Sequence, residues 1–333
     1  MRLPVFVAKL SWCSIDRFFR PFVDTESFSV PAPPRIGLAL SSGSARGLAH
    51  IGVIQVLEEE NIPITAIIGS SMGAYVGALW ASGLSGKELE VLASAIKDRR
   101  ALRQLLDANI LPLTGFIQGH KIRKRLEQTL GDITIEQLKR QMYIVASNLD
   151  TVSGEILPPY TPVAAAIHAS CAIPGIVSPV ILNGNRYIDG GASQPLPVSM
   201  LRQQVKLDAI IAVNVMPTYD DIATCDLKTY PVPPALPQTP WEHLQMTISK
   251  SLNLFAYGNV LDTFKRCLTS AQMRLTAEEC QRANVVIHPF FCGSTWYDFE
   301  HFDDHIQAGR AAARAKLPQL RALLNPSTHL IER

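Results

Sequence analysis

Ile64-Thr65-Ala66-Ile67-Ile68-Gly69-Ser70-Ser71-Met72-Gly73-Ala74-Tyr75-Val76-Gly77-Ala78-Leu79 carries a G-x-S-x-G pentapeptide between an apolar run and a run of small residues. A strand that turns sharply into a helix lifts the turn serine above the end of the sheet, where its oxygen can attack a substrate. Gly69 and Gly73 permit a bend that side chains would block. Ser71 is therefore a candidate nucleophile. The same five letters also suit an ordinary glycine-rich βα turn, so the motif taken alone leaves both readings open.

Working outward, Arg35 to Leu40 reads as a first strand, Ser41-Ser42-Gly43-Ser44-Ala45-Arg46-Gly47 as a small-residue turn, and Leu48 to Glu59 as a helix. Met142 to Ser147 and the unbroken apolar run Ala209 to Val215 read as buried strands, with Asn284 to His288 as the last. Asn183-Gly184-Asn185 marks a hairpin turn and Ser153-Gly154 another. Helices are expected over most of 87–140, over Val163 to Ala169, and over Ile306 to Leu324, the last with Arg310, Arg314, Lys316 and Arg321 on a solvated face. Pro231 to Pro240 reads as a surface loop, and Leu244, Ile248, Leu252 and Phe255, at helical spacing, as the core face of a helix or, alternatively, a lipid-facing groove. Strands alternating with helices imply an α/β fold, a three-layer sandwich with a mainly parallel central sheet covered on both faces. Ligands gather at the carboxyl ends of such strands, and both Gly/Ser turns, 41–47 and 69–73, fall there.

The bulk properties narrow the function. The 333 residues, 47% hydrophobic and 18% charged, describe a well-cored globular protein. A net charge of +2 argues against a nucleic-acid partner. The six cysteines are scattered with no C-x-x-C, so a zinc ribbon or dithiol site is not suggested. Free thiols in a reducing compartment are expected, which places the protein in the cytoplasm. The longest apolar-leaning stretch, 162–182, is broken by Pro162, Pro174, Pro179 and His168 and does not form one spanning helix. Pro31-Ala32-Pro33-Pro34 reads as a stiff linker between an N-terminal extension, 1–34, and a domain spanning 35–333. Lys9 interrupts the apolar run of the extension and no A-x-A site follows, so a cleaved signal is not expected. The extension mixes Phe6, Trp12 and Phe18 with Arg2, Lys9 and Arg17, so it either lies peripherally on the inner membrane face or packs its aromatics on the domain.

The first turn, Ser41 to Gly47, also admits two readings. Its amides at a helix N-terminus favour an anion. They suit an oxyanion hole beside Ser71. They also suit a dinucleotide phosphate loop and hence a nucleotide-dependent oxidoreductase, although the second strand ends in Ile68-Gly69-Ser70 with no acid to hold a ribose. Arg46 either neutralises an anionic substrate or anchors this loop, and the anchor is the expected role. A serine nucleophile needs a proton acceptor in reach. None of the eight histidines has the context of a triad base, and His50 and His168, both on helices, read as structural. Asp189, after Arg186-Tyr187-Ile188 and before Gly190-Gly191, is the better candidate, against an ordinary Asp-Gly turn.

Taken in order, the turn with Arg46-Gly47, Gly69-Ser70-Ser71-Met72-Gly73 and Asp189-Gly190-Gly191 resemble the patatin-like phospholipase family, nearest its small bacterial members. The resemblance extends through Gly47-Leu48-Ala49-His50-Ile51-Gly52-Val53, Ala169-Ser170-Cys171-Ala172-Ile173-Pro174-Gly175 and Pro195-Leu196-Pro197-Val198, over a motif core of 35–215. It implies a patatin-like Ser–Asp dyad hydrolase of acyl lipids, with Ser71 as nucleophile and Asp189 as base. The backbone amides of Ser42, Gly43 and Ser44 would form the oxyanion hole, supported by Arg46, Gly47, Gly69, Gly73, Gly190 and Gly191. It implies neither metal nor cofactor. A catalytically weak lipid-binding member and an acyltransferase are the alternatives within the fold. The family's first turn usually carries three or four glycines, whereas Ser41, Ser42 and Ser44 stand here. His168 stands where members often carry arginine.

Overall fold

Apolar, β-branched runs form the strands, and their period-two alternation builds two cores. Along β1 (Ile36–Leu40), Ile36, Leu38 and Leu40 join one hydrophobic cluster and Ala39 the other. β2 (Ile64–Ser70) and β7 (Ala209–Val213) divide the same way, with Ile67, Ile211 and Val213 on one side and Ile68, Ile210 and Ala212 on the other. Helices cover both faces, giving the three-layer α/β sandwich. The computed structural model describes residues 33–95, 107, 116–225, 239, 260–294 and 297–324. The extension up to residue 32, nearly all of the proline-rich stretch 231–240, the expected helix at 244–255 and much of 96–115 lie outside the described residues.

The sheet order is β5 (Val180–Leu182), β6 (Asn185–Asp189), β3 (Gln141–Asn148), β2, β1, β7, β8 (Val285–Ile287), and β4 (Ser153–Ile156) also pairs with β3. The run from β3 through β8 is parallel, and β4, β5 and β6 join antiparallel. The chain steps from β1 to β2 on one side and later to β7 on the other. The topological switch point, where open α/β sheets place their ligands, therefore lies between β1 and β7.

The first crossover is a 3-10 turn, Ser44–Leu48, running into α1 (Ala49–Glu59). α2 (Met72–Ala81) follows β2, and α3 (Gly86–Ser94) follows α2 behind a Ser85–Glu88 capping box. The remaining described helices are α4 (His120–Leu130), α5 (Val163–Ser170), α6 (Val198–Gln204), α7 (Tyr219–Thr224), α8 (Val260–Cys280), α9 (Phe302–Ala315) and α10 (Leu317–Ala322). α1 and α9 cross at paired glycines. A Cβ on Gly52 would stand 2.0 Å from the Ile306 carbonyl oxygen, and one on Gly309 2.0 Å from that of Ala49. Both contacts are with backbone, so neither helix can yield by a rotamer change. Gly309→Ala is expected to lower stability by about 3 kcal/mol, read as a shifted urea midpoint with unchanged slope.

The structure corrects four local expectations. The closing helix starts at Phe302 and breaks at Lys316, two residues ahead of Pro318, whose missing N–H cannot continue the ladder. Its cations are not a merely solvated face. Arg310 reaches Glu90 and Gln55 with only 19% of its side chain exposed, and Arg314 and Arg321 meet Glu59 and Glu60. The turn after β3 lies at 149–152, because the Asn148 side chain accepts from the amides of Asp150 and Thr151 and closes the loop early. Finally, not all thiols are free: Cys225 and Cys292, 67 residues apart, form a disulfide, which removes the support that scattered free cysteines lent to a reducing compartment. The hairpin at Asn183-Gly184 does form, with both residues at positive φ, 50° and 83°.

Candidate active site

Ser71 stands at the sharp turn between β2 and α2, with φ 53° and ψ −122°. That conformation is costly for a residue with a Cβ, by about 1–3 kcal/mol, and needs its surroundings to hold it. Two features do. The Ser71 amide donates to Ser170 Oγ at 2.9 Å, and Ser170 Oγ donates to the Val145 carbonyl at 2.6 Å. Gly73 lets α2 begin against the end of β1, where a Cβ would lie 2.3 Å from the Leu40 carbonyl oxygen. Gly69 faces Gly73 across the bend at a similarly close 2.5 Å. As the residue preceding α2, Ser71 also lies at the positive end of that helix.

Strand register brings Asp189 to the same place from 118 residues away. β3 continues past the end of β2: Ser70 pairs with Val145, and the next residue, Ala146, pairs with Asp189 at the end of β6. Ser71 Oγ donates to Asp189 Oδ2 at 2.5 Å, and the Gly191 amide donates to Asp189 Oδ1 at 2.7 Å. Gly190 must lack a Cβ, which would sit 2.3 Å from the Val145 carbonyl oxygen. Gly191 packs on Ser42, 2.8 Å from where its own Cβ would be. Both residues are nearly enclosed, Ser71 at 5% and Asp189 at 6% exposure. Burial pushes the Asp189 carboxyl up to about 6, against the opposing hydrogen bonds from Ser71 and Gly191.

The first turn lies beside this pair at the switch point. Ser41 ties β1 to β7, its amide donating to the Val213 carbonyl at 3.0 Å and its Oγ accepting from the Val215 amide at 2.9 Å. Gly43 packs on Val215, whose Cγ2 would be 2.3 Å from an added Cβ, and Gly47 packs as closely on Met72. Ser42 departs from its expected role. Its amide donates to the Pro195 carbonyl at 2.8 Å and is not available to an oxyanion. Its hydroxyl is buried without a partner among the described residues. The amides of Gly43 and Ser44 precede the first intrahelical donor of the 3-10 turn, so that turn supplies them no acceptor. Arg46 reaches Ser294, with Nη2 2.6 Å from its carbonyl oxygen and Nε 3.2 Å from its Oγ, and lies over the Phe290 ring. These contacts hold the turn against the segment after β8.

The histidines take other partners. His50 Nε2 lies 2.8 Å from the Ser41 carbonyl oxygen, and burial pushes its pKa down to about 4, so the neutral ring donates and fixes the start of the turn. His168 Nε2 lies 3.0 Å from the Gln118 carbonyl oxygen. Sequence reasoning assigned no role to Ser170 or Cys171, although both lie in the quoted run Ala169 to Gly175. Ser170 supports the Ser71 amide. Cys171 stands against the dyad, its thiol raised by desolvation and then by the Asp189 carboxylate, with Ser71 as an opposing hydrogen-bond partner. Ser170→Ala is expected to leave the Ser71 amide without its acceptor, costing about 1–3 kcal/mol of stability in chemical denaturation.

A buried serine–aspartate pair on a strand–helix elbow, within a mainly parallel three-layer sheet, defines the class. A family model described as patatin-like phospholipase matches residues 38–202. An uncharacterized NTE family protein of Mycobacterium tuberculosis is 41% identical over 182 residues, 55% of this chain and 49% of that protein. Lysophospholipase NTE1 of Saccharomyces cerevisiae is 33% identical over 181 residues, 54% of this chain and 11% of that protein. Among solved structures, VipD from Legionella pneumophila superposes with a TM-score of 0.45 at 13% identity, covering 88% of this chain and 67% of that one. The chain thus spans about half the length of the mycobacterial relative and a small part of the yeast one. Residues 38–202 therefore carry a patatin-like phospholipase domain. No helix among the described residues is long and apolar enough to cross a membrane.

Proposed function

We propose that the protein is a serine acyl hydrolase cleaving fatty-acyl esters of phospholipids or lysophospholipids. The observation that carries this reading is the enclosed 2.5 Å hydrogen bond from Ser71 Oγ to Asp189 Oδ2. As Ser71 Oγ attacks the ester carbonyl carbon, its proton passes to Asp189. The amides of Gly43 and Ser44 face the developing oxyanion, a contribution of about 3 kcal/mol or more per donor. The tetrahedral intermediate collapses, the C–O bond breaks, and the departing alcohol or lysolipid takes the proton from Asp189. Water, deprotonated by the same carboxylate, then attacks the acyl-enzyme; the acyl–Oγ bond breaks, Ser71 Oγ takes the proton back from Asp189, and the fatty acid is released. A carboxyl raised to about 6 is a far better base than an ordinary aspartate and is still ionised at neutral pH. Histidine, metal and cofactor have no step in this scheme.

The test is a panel of phospholipids and lysophospholipids incubated with wild type and Ser71→Ala, with products read by mass spectrometry. Serine-dependent release of free fatty acid is the expected result. Lipid binding without turnover would instead make the protein a lipid-binding member that has lost its hole. Transfer to an added alcohol in preference to water would make it an acyltransferase, and NADPH binding would return the phosphate-loop reading. The expected cytoplasmic location, peripheral at the inner membrane face, is weighed against by the Cys225–Cys292 bond. Cell fractionation with alkylation of those two thiols decides it.

A further inference from the structure

α4 is the most basic described helix, and its place in the fold gives that charge a use. Its sequence, His120-Lys121-Ile122-Arg123-Lys124-Arg125-Leu126-Glu127-Gln128-Thr129-Leu130, holds four cations and one acid in a chain whose total net charge is only +2. Lys121, Lys124 and Arg125 are all exposed and spaced i, i+3, i+4, so they share one face. Ile122, Leu126 and Leu130 occupy the opposite side, packed on the main hydrophobic core. Arg123 pairs with Glu127 on the helix itself, at 2.8 Å.

The N-terminal end of α4 packs on His168, near the support of Ser71. The Asp107 carboxylate accepts from the amides of Gly119 and His120 and fixes the N-terminus of α4. Gly119 abuts His168, whose Nε2 would be 2.3 Å from a Cβ there. His168 is two residues before Ser170, the support of the Ser71 amide.

We infer that the exposed basic face of α4 docks the protein on anionic lipid bilayers and so brings the mouth of the site to its substrate. The charge complementarity of three outward cations with a negatively charged headgroup layer selects the occupant. Each such cation adds roughly a fivefold gain in binding at low salt, fading within a Debye length. The inference extends the hydrolase reading by naming the surface on which it works, and it is tested separately from that reading. Full-length protein is sedimented with vesicles of phosphatidylcholine alone or mixed with phosphatidylglycerol. Binding is expected only to the mixed vesicles and is expected to weaken steeply with salt. Lys121→Gln with Lys124→Gln should weaken it about twentyfold, with hydrolysis of a soluble short-chain ester unchanged, and Ser71→Ala should bind like wild type. Equal binding to neutral vesicles, unchanged binding by the double variant, or tighter binding to RNA than to anionic vesicles at the same salt would overturn it. Loss of soluble-ester hydrolysis in wild type would instead strike the hydrolase reading and leave the docking result standing.

Discussion

Ser71→Ala is expected to lower kcat on a short-chain aryl ester by about 10⁴- to 10⁶-fold, the scale on which removal of a covalent nucleophile acts. The substitution deletes one atom, Oγ, which donates to Asp189 Oδ2. It keeps the Cβ, so the backbone at φ 53° stays as constrained as before. The Ser71 amide keeps its bond to Ser170. The variant should therefore fold normally by near-ultraviolet circular dichroism while losing turnover. A fluorophosphonate probe should label wild type and miss the variant, because phosphonylation needs the same oxygen. Residual activity within tenfold of wild type, or labelling of another serine in the variant, would move the nucleophile elsewhere.

Much of this arrangement is legible in sequence because it is written locally. An apolar run, a turn motif and a small-residue helix fall within 64–79, and the structure places β2, the elbow and α2 there. Gly73 and Gly190 are forced by backbone carbonyls that approach where a Cβ would stand, so a glycine at each position carries spatial information. What sequence does not reveal depends on contacts between distant segments. The Ser42 amide reads as a donor for an oxyanion until Pro195, from another loop, is seen to accept it. Ser170 is one more small residue until β3 brings Val145 beside it. Cys225 and Cys292 have no shared motif; Cys225 follows α7, and Asp221 of that helix reaches His288 just past β8, which sets the two segments side by side. Arg310 looks solvated along its own helix, and the acid it meets belongs to α3. Charge pairing across elements leaves no periodic trace.

Asp189→Asn separates the chemistry of the base from its cost to the fold. In wild type, burial raises the carboxyl from 3.8 to about 6. Folding therefore favours the protonated form, and the sign of the linkage follows. Between those two values the native state holds a proton that the unfolded chain has released, so stability falls as pH rises. Once the pH exceeds about 6 the loss is complete, roughly 3 kcal/mol relative to acid conditions for a shift of this size. Asparagine cannot ionise, and the variant should lack this decline, gaining on wild type in urea midpoint between pH 4 and pH 7. Activity should move the other way. The wild-type kcat/KM is expected to rise with pH through about 6 as the base ionises. The variant should have kcat lowered about 10³- to 10⁴-fold, the range seen when a buried acid of a serine hydrolase is replaced by its amide, and should show no such limb. A variant that is inactive but no more stable at pH 7 than wild type would mean that Asp189 is not held in the enclosed, raised state on which its role as base depends.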